Sequence, residues 1–91
     1  MKSVLQENKE CFICGQTYEL HLHHIIYGPF RKKSEKYGLT VWLCPYHHNM
    51  SDQGVHFCRA LDLALRREAQ KAFEKTHSRE EWMDAFEKNY L

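Results

Sequence analysis

Apolar and polar residues alternate most clearly over residues 18–26, where Leu20 and Leu22 interleave with Glu19, His21 and His23. A period of two sends successive side chains to opposite faces, so this stretch predicts a strand. Gly28-Pro29 breaks it. Thr40–Leu43, reading Thr-Val-Trp-Leu, is β-branched and aromatic and predicts a second strand. The basic stretch between them, residues 30–38, reads as a loop. Cys44-Pro45 opens a helix, since proline suits the first turn, where its missing N–H is not needed. The period then becomes helical: Leu61, Leu65, Ala69, Ala72 and Phe73 recur along one side of a helix over roughly residues 56–75. Ser78-Arg79-Glu80-Glu81 has the form of a capping box and starts another helix. Trp82, Met83, Phe86 and Tyr90 give that helix its apolar face, a packing surface rather than a platform for stacking bases. Residues 1–10 are polar and charged and read as a short flexible arm, leaving residues 11–91 as a single domain.

Length changes the picture next. With 91 residues there is one domain. A domain this small buries only about 60–65% of the surface its unfolded chain exposes. Such chains commonly rely on a metal, disulfides or a partner. Four Cys and seven His are available for the first of these, while five Phe, five Tyr and two Trp supply much of the packing. No apolar run is as long as a membrane span, and the polar start does not resemble a signal peptide. The expectation is a soluble cytoplasmic protein with no membrane partner, a setting in which paired cysteines are metal ligands before they are disulfides.

Two such pairs stand out: Cys11-x-x-Cys14 and Cys44-x-x-His47. The first, followed by Gly15, has the form of a zinc knuckle. A hairpin between the pairs would gather four thiol and imidazole ligands into a closed tetrahedron, which suits a structural Zn²⁺. Cys58 is left over and reads as a buried apolar residue on the long helix.

A closed zinc site leaves a surplus of histidines: His21, His23, His24, His48 and His56. His47 and His48 are helix neighbours, so their side chains point about 100° apart and can serve different centres. His23 and His24 point to opposite sides of a regular strand unless the strand ends or bulges there. This surplus fits a second metal site open to substrate. His56 reads equally as a ligand of that site or as a polar residue at a helix start. His21 shares a face with His23 and has at most a phosphate-contacting role, and His77 reads as a solvated loop residue.

Cys11-x-x-Cys14, then Leu22-His23-His24-Ile25-Ile26, then Leu43-Cys44-x-x-His47-His48 resembles the HNH nuclease family, whose pattern is CxxC, [DH]H[IV] and LCxxCH. His23-His24-Ile25, the stretch 43–48 and Gly54-Val55-His56 further resemble the phage recombination-enhancement, RecA-dependent nucleases. The resemblance implies an α+β fold with a small zinc-stapled ββα-metal, or treble-clef, core followed by two or more packing helices. It implies a metal-dependent endonuclease acting on DNA in phage or prophage recombination, with a RecA filament or other recombination proteins as partners. Carried over residue by residue, His24 is the general base, and His23 and His48 hold the catalytic metal, with His56 as a third ligand. That metal would be Mg²⁺, Mn²⁺, Ni²⁺ or Zn²⁺, an imidazole-rich site leaning away from Mg²⁺. His47 stands where the family has its second cysteine of that pair. Leu39, with Thr40 next to it, stands where the family has an Asn that braces the loop; Asn49, just after His48, could brace locally.

The net charge of +1 excludes a histone-like binder but not a local basic patch. Arg31, Lys32, Lys33 and Lys36 form one, with Glu35 as the only acid among them, and would contact phosphate without reading sequence. Arg66, Arg67 and Lys71 alternate with Glu68 and Glu74 and read as surface. Two function classes remain: a metal-dependent endonuclease, and a non-catalytic zinc module that binds nucleic acid or a partner protein. A binding module has no need of His23, His24 and His48 together.

Overall fold

The computed structural model describes residues 3–48, 54, 56 and 58–91. Two short strands, β1 (His21–His24) and β2 (Thr40–Leu43), pair antiparallel, with His21 opposite Leu43, Leu22 opposite Trp42, His23 opposite Val41 and His24 opposite Thr40. A single 3-10 turn (Gly28–Phe30) and helix α1 (Arg31–Lys36) connect them. Helix α2 (Pro45–His48) follows β2, and α3 (Arg59–Phe73) and α4 (Arg79–Phe86) complete the order. The layout is α+β: a small ββα unit carrying two further helices.

β1 is shorter than the alternation over 18–26 suggests. Glu19 has a φ of +51°, which an extended strand cannot contain, and the chain bends after His24 so that both Ile25 and Ile26 turn inward. The core joins these isoleucines to Leu39, Val41 and Leu43 of the hairpin, Leu65, Ala69 and Phe73 of α3, and Trp82, Ala85 and Phe86 of α4. Cys11 and Cys44 are buried in the same cluster. The Ser78 capping box is present, Ser78 Oγ accepting from Glu81 N–H at 3.1 Å and Glu81 Oε1 from Ser78 N–H at 3.0 Å. Of the apolar face expected on α4, Met83 is 37% exposed and Tyr90 lies beyond the helix end.

Residues 30–38 are not a loop. Their side chains are largely good helix formers after a proline, and they form α1. The helix ends in a Schellman motif: Leu39 N–H donates to Ser34 O at 2.8 Å and Gly38 N–H to Glu35 O at 3.1 Å, with Gly38 at φ +71°. Residues 3–10 are likewise not a loose arm. They carry no regular structure, but Val4 N–H donates to Gly38 O (2.9 Å), Trp42 N–H to Gln6 Oε1 (2.9 Å), and Leu5 packs on the core. They cover the outer edge of β2.

Leu39, where the resemblance to HNH nucleases leads one to expect an Asn, is fully buried and cannot brace anything through its side chain. Its carbonyl does the joining, accepting from Ile25 N–H at 3.1 Å and from Ser34 Oγ at 2.8 Å. Ser34 Oγ also accepts from Ile26 N–H at 3.4 Å, so one buried hydroxyl ties α1 to the end of β1 and the start of β2. Ser34→Ala leaves these buried groups short of a partner and is expected to destabilise the zinc-saturated protein by about 1–3 kcal/mol in urea unfolding. An unchanged midpoint would mean the hydroxyl braces nothing.

α3 starts at Arg59. Cys58 is therefore at its N-cap position and only half-buried, not a core residue within the helix. Arg66 is not a surface residue. Its guanidinium pairs with Asp62 (3.1 Å), donates to Tyr90 Oη (2.7 Å) and lies over the rings of Tyr27 and Tyr90, linking α3 to the chain end after α4. His77 is half-buried and stacked on Phe73, with centroids 4.3 Å apart. No helix among the described residues is long and apolar enough to cross a membrane.

Candidate metal centres

The hairpin brings the two cysteine-bearing pairs together. Cys11 and Cys14 lie on a turn closed by Gly15 N–H donating to Cys11 O (2.8 Å), and Gly15 takes the left-handed φ of +82° that a residue without Cβ accepts easily. Phe12 N–H donates to Trp42 O (2.8 Å) and so fixes the turn against β2. Cys44 leaves β2, and His47 follows one turn later in α2. Cys14 Sγ is 3.7 Å from Cys44 Sγ, and His47 Nδ1 is 3.3 Å from Cys44 Sγ and 3.8 Å from Cys11 Sγ. A tetrahedral zinc bound at about 2.3 Å to sulfur and about 2.0–2.1 Å to nitrogen requires edges of about 3.8 Å between sulfurs and about 3.6 Å from sulfur to nitrogen. The four residues fit that shape and could hold a zinc ion. No disulfide competes, all four cysteines being free thiols.

The electrostatics agree with the shape. Burial raises the Cys11 thiol, but backbone groups of Cys44, Cys14 and Ile13 outweigh it and bring Cys11 down to about 6. Cys44 is pushed up, by burial first and then by the neighbouring thiols against the opposing backbone of His47. One thiol ionises readily and raises the cost of ionising the next. Only a cation among them relieves that repulsion.

A second cluster lies on the other side of α2. His23, His48 and His56 place one ring nitrogen each within 4.8 Å of one another. His48 Nε2 and His56 Nε2 are 3.1 Å apart, and His56 N–H donates to His48 O at 3.2 Å. His23 is 3% exposed, yet its buried Nε2 has no hydrogen-bond partner, which is costly unless something else fills the place. Burial, then the positive potential of His48, His56, His24 and Arg66, pushes His23 down to about 3. Burial, then His56 and His21, pushes His48 to about 4. Both imidazoles are neutral at pH 7 and keep a lone pair, the form a metal needs. His21, on the same face of β1 as His23, sets its Nδ1 2.9 Å from Nδ1 of His48.

The cluster opens on a cleft of about 450 Å³ lined by His23, His24, Tyr27, Arg31, His48 and His56, among others. His23 and His24 both reach it because β1 ends at His24. His24 Nε2 is buried, without a hydrogen bond, 3.9 Å from Glu35 Oε2. Burial and then Arg31 hold His24 below its ordinary value, with the Glu35 carboxylate opposing. Arg31 and Glu35 are one helical turn apart on α1, so both flank His24. Of the four basic residues singled out in the sequence, only Arg31 lines the cleft. The helix turns Lys33 and Lys36 away: Lys33 Nζ donates to Ala85 O (3.1 Å) in α4, and Lys36 lies over Tyr37. Lys32 is exposed beside them.

Glu35 is missed by a reading that takes residues 30–38 as a loop, and Tyr27, which precedes that stretch, is assigned no role from sequence. The signals for a helix were present in Pro29, the residues after it and Gly38. Asn49 and Val55 lie outside the described residues. Comparison of the chain with protein-family models, with curated proteins and with solved structures finds no match in any of the three. What stands is a small ββα layout with a Cys/His cluster that could hold zinc, an arrangement compatible with an HNH-like fold.

Proposed function

We propose that this chain is a metal-dependent endonuclease of the HNH type, hydrolysing phosphodiester bonds in DNA, with a separate structural zinc at Cys11, Cys14, Cys44 and His47. The observation that carries the reading is the division of labour within α2. His47 faces three thiols in a closed set, and His48 faces two imidazoles at a cleft that His24 and Arg31 also line. A zinc module that only binds has no use for the second, open cluster.

His23, His48 and His56 would hold the second divalent ion, and their nitrogen-only donor set favours Mn²⁺, Ni²⁺ or Zn²⁺ over Mg²⁺. The chemistry such an ion supplies when bound is polarisation of a phosphate oxygen and neutralisation of charge at the leaving 3′ oxygen. His24 is the base: on the cleft wall, and held below its ordinary value by burial and Arg31, it accepts a proton from the water that attacks phosphorus. Arg31 offers a planar fork of donors to the phosphate at the cleft mouth. The likeness to RecA-dependent phage nucleases makes DNA processing in phage recombination the expected setting, and a RecA filament the first partner to try.

The test pairs metal content with supercoiled-plasmid cleavage in Mg²⁺, Mn²⁺ and Ni²⁺. The expected result is one tightly held zinc per chain, one exchangeable ion and metal-dependent nicking. One zinc alone, with plasmid intact both with and without RecA filaments, would favour the non-catalytic zinc module instead.

A further inference from the structure

We infer that His21 is a positioning residue for the three-histidine centre, accepting the Nδ1–H of His48 and so holding His48 Nε2 toward His23 and His56. The inference rests on that centre binding a metal, as proposed above.

A neutral imidazole carries one N–H and one lone pair. The Nδ1 atoms of His21 and His48 are 2.9 Å apart, so one of them donates to the other. The opposite edge of the His48 ring decides which. His48 Nε2 lies 3.1 Å from His56 Nε2, with the His23 ring 5.3 Å away between centroids. If His48 is to offer Nε2 to an ion, its proton must sit on Nδ1 and His21 must accept it. Nitrogens sharing one ion at about 2.0–2.1 Å each lie about 2.9–3.4 Å apart, a range that includes the observed 3.1 Å. The orphaned Nε2 of His23 faces the same need for a cation. His21 cannot be an equivalent ligand of that ion, because its Nδ1 meets the far side of the His48 ring. It stands where metal-binding histidines usually find a carboxylate or carbonyl, the partner that fixes tautomer and ring orientation.

The fold explains why a histidine can fill this place. His21 and His23 are two residues apart on one strand and share a face, so β1 presents a ligand and an orienting group side by side to α2.

The experiment is calorimetric titration of Ni²⁺ into zinc-loaded protein, with zinc content and circular dichroism confirming the fold. Wild type is expected to take up one further ion, and His23→Ala to lose it. His21→Leu is expected to bind Ni²⁺ about 10–100-fold more weakly. His21→Gln, which keeps an acceptor, is expected to recover most of the loss. Long-range ¹H–¹⁵N correlation of the Zn²⁺-saturated wild type should show His48 protonated at Nδ1 and His21 at Nε2. Unchanged affinity in His21→Leu would overturn the role of His21 while leaving the metal centre in place; an Nε2-protonated His48 would overturn it and remove His48 Nε2 from the ligand set. Loss of the ion in His21→Leu as complete as in His23→Ala would make His21 a ligand and overturn it too. Wild type without a second ion would remove the centre itself, and the inference with it. Should His21→Leu fail to fold, the Gln variant and the wild-type tautomers still decide.

Discussion

Cys11→Ala, or removal of zinc from the wild type by a strong chelator, is expected to unfold the whole chain rather than loosen one end. Cys11 and Cys44 are each 2% exposed and belong to the same apolar cluster as Trp82 and Phe86, so the metal cluster is part of the core's wall. Structural zinc in small fingers contributes an apparent ~10–16 kcal/mol at neutral pH, whereas whole domains are stable by only ~5–15 kcal/mol. Losing the first term therefore exhausts the second. Among the groups left behind, Cys44 is buried, and its thiol, pushed up by that burial, stays protonated without a cation. Far-UV circular dichroism and amide dispersion, read beside zinc content, check this. Cys58→Ala provides the control: Cys58 lies outside the cluster and is only half-buried, and that variant should keep its zinc and its fold. A zinc-free Cys11→Ala protein with a native spectrum and a cooperative melt would sink the structural assignment.

The features legible in the sequence were those with short-range signatures. Cys11-x-x-Cys14 and Cys44-x-x-His47 announce their pairing by spacing, and the structure brings all four within reach of one ion. Ser78 and Glu81 name their own capping box three residues apart. β2 is found where β-branched and aromatic residues predict it. Much of what escaped depends on how elements pack, although α1 was signalled locally by Pro29 and Gly38. Nothing around Leu39 says that Ser34 joins the end of β1 to the start of β2 in place of an Asn side chain. Charge alone made Arg66 a surface residue, and only the packing of Tyr27 and Tyr90 against it shows that its guanidinium is half-buried. The basic patch is divided in the fold for a different reason. Four cations close in sequence were treated as one surface, but once they lie on a helix the turn of about 100° per residue sends Lys33 and Lys36 toward α4 and leaves Arg31 at the cleft. His21 was undervalued because its partner, His48, lies 27 residues along the chain.

The adjacent histidines at the end of β1 give the second large effect, and they separate two roles that a single activity measurement would merge. His24→Ala is expected to slow plasmid nicking by about 10²–10⁴-fold while the second metal still binds. His23→Ala is expected to abolish both. The difference follows from placement. His23 shares its face with the α2 cluster and has an orphaned nitrogen beside His48 and His56. His24, one residue on, turns toward Arg31 and Glu35 of α1 and is not among the clustered nitrogens. A proton acceptor needs that separation, because an imidazole whose lone pair is committed to an ion cannot also take a proton from water. Burial and then Arg31 hold His24 below its ordinary value against the Glu35 carboxylate, which favours the basic form. Nicking rates and Ni²⁺ stoichiometry measured on the same preparations read the two roles independently. If His24→Ala nicks like the wild type, the base is elsewhere; if it loses the metal along with the activity, His24 is a ligand and the cleft must find its proton acceptor in another group.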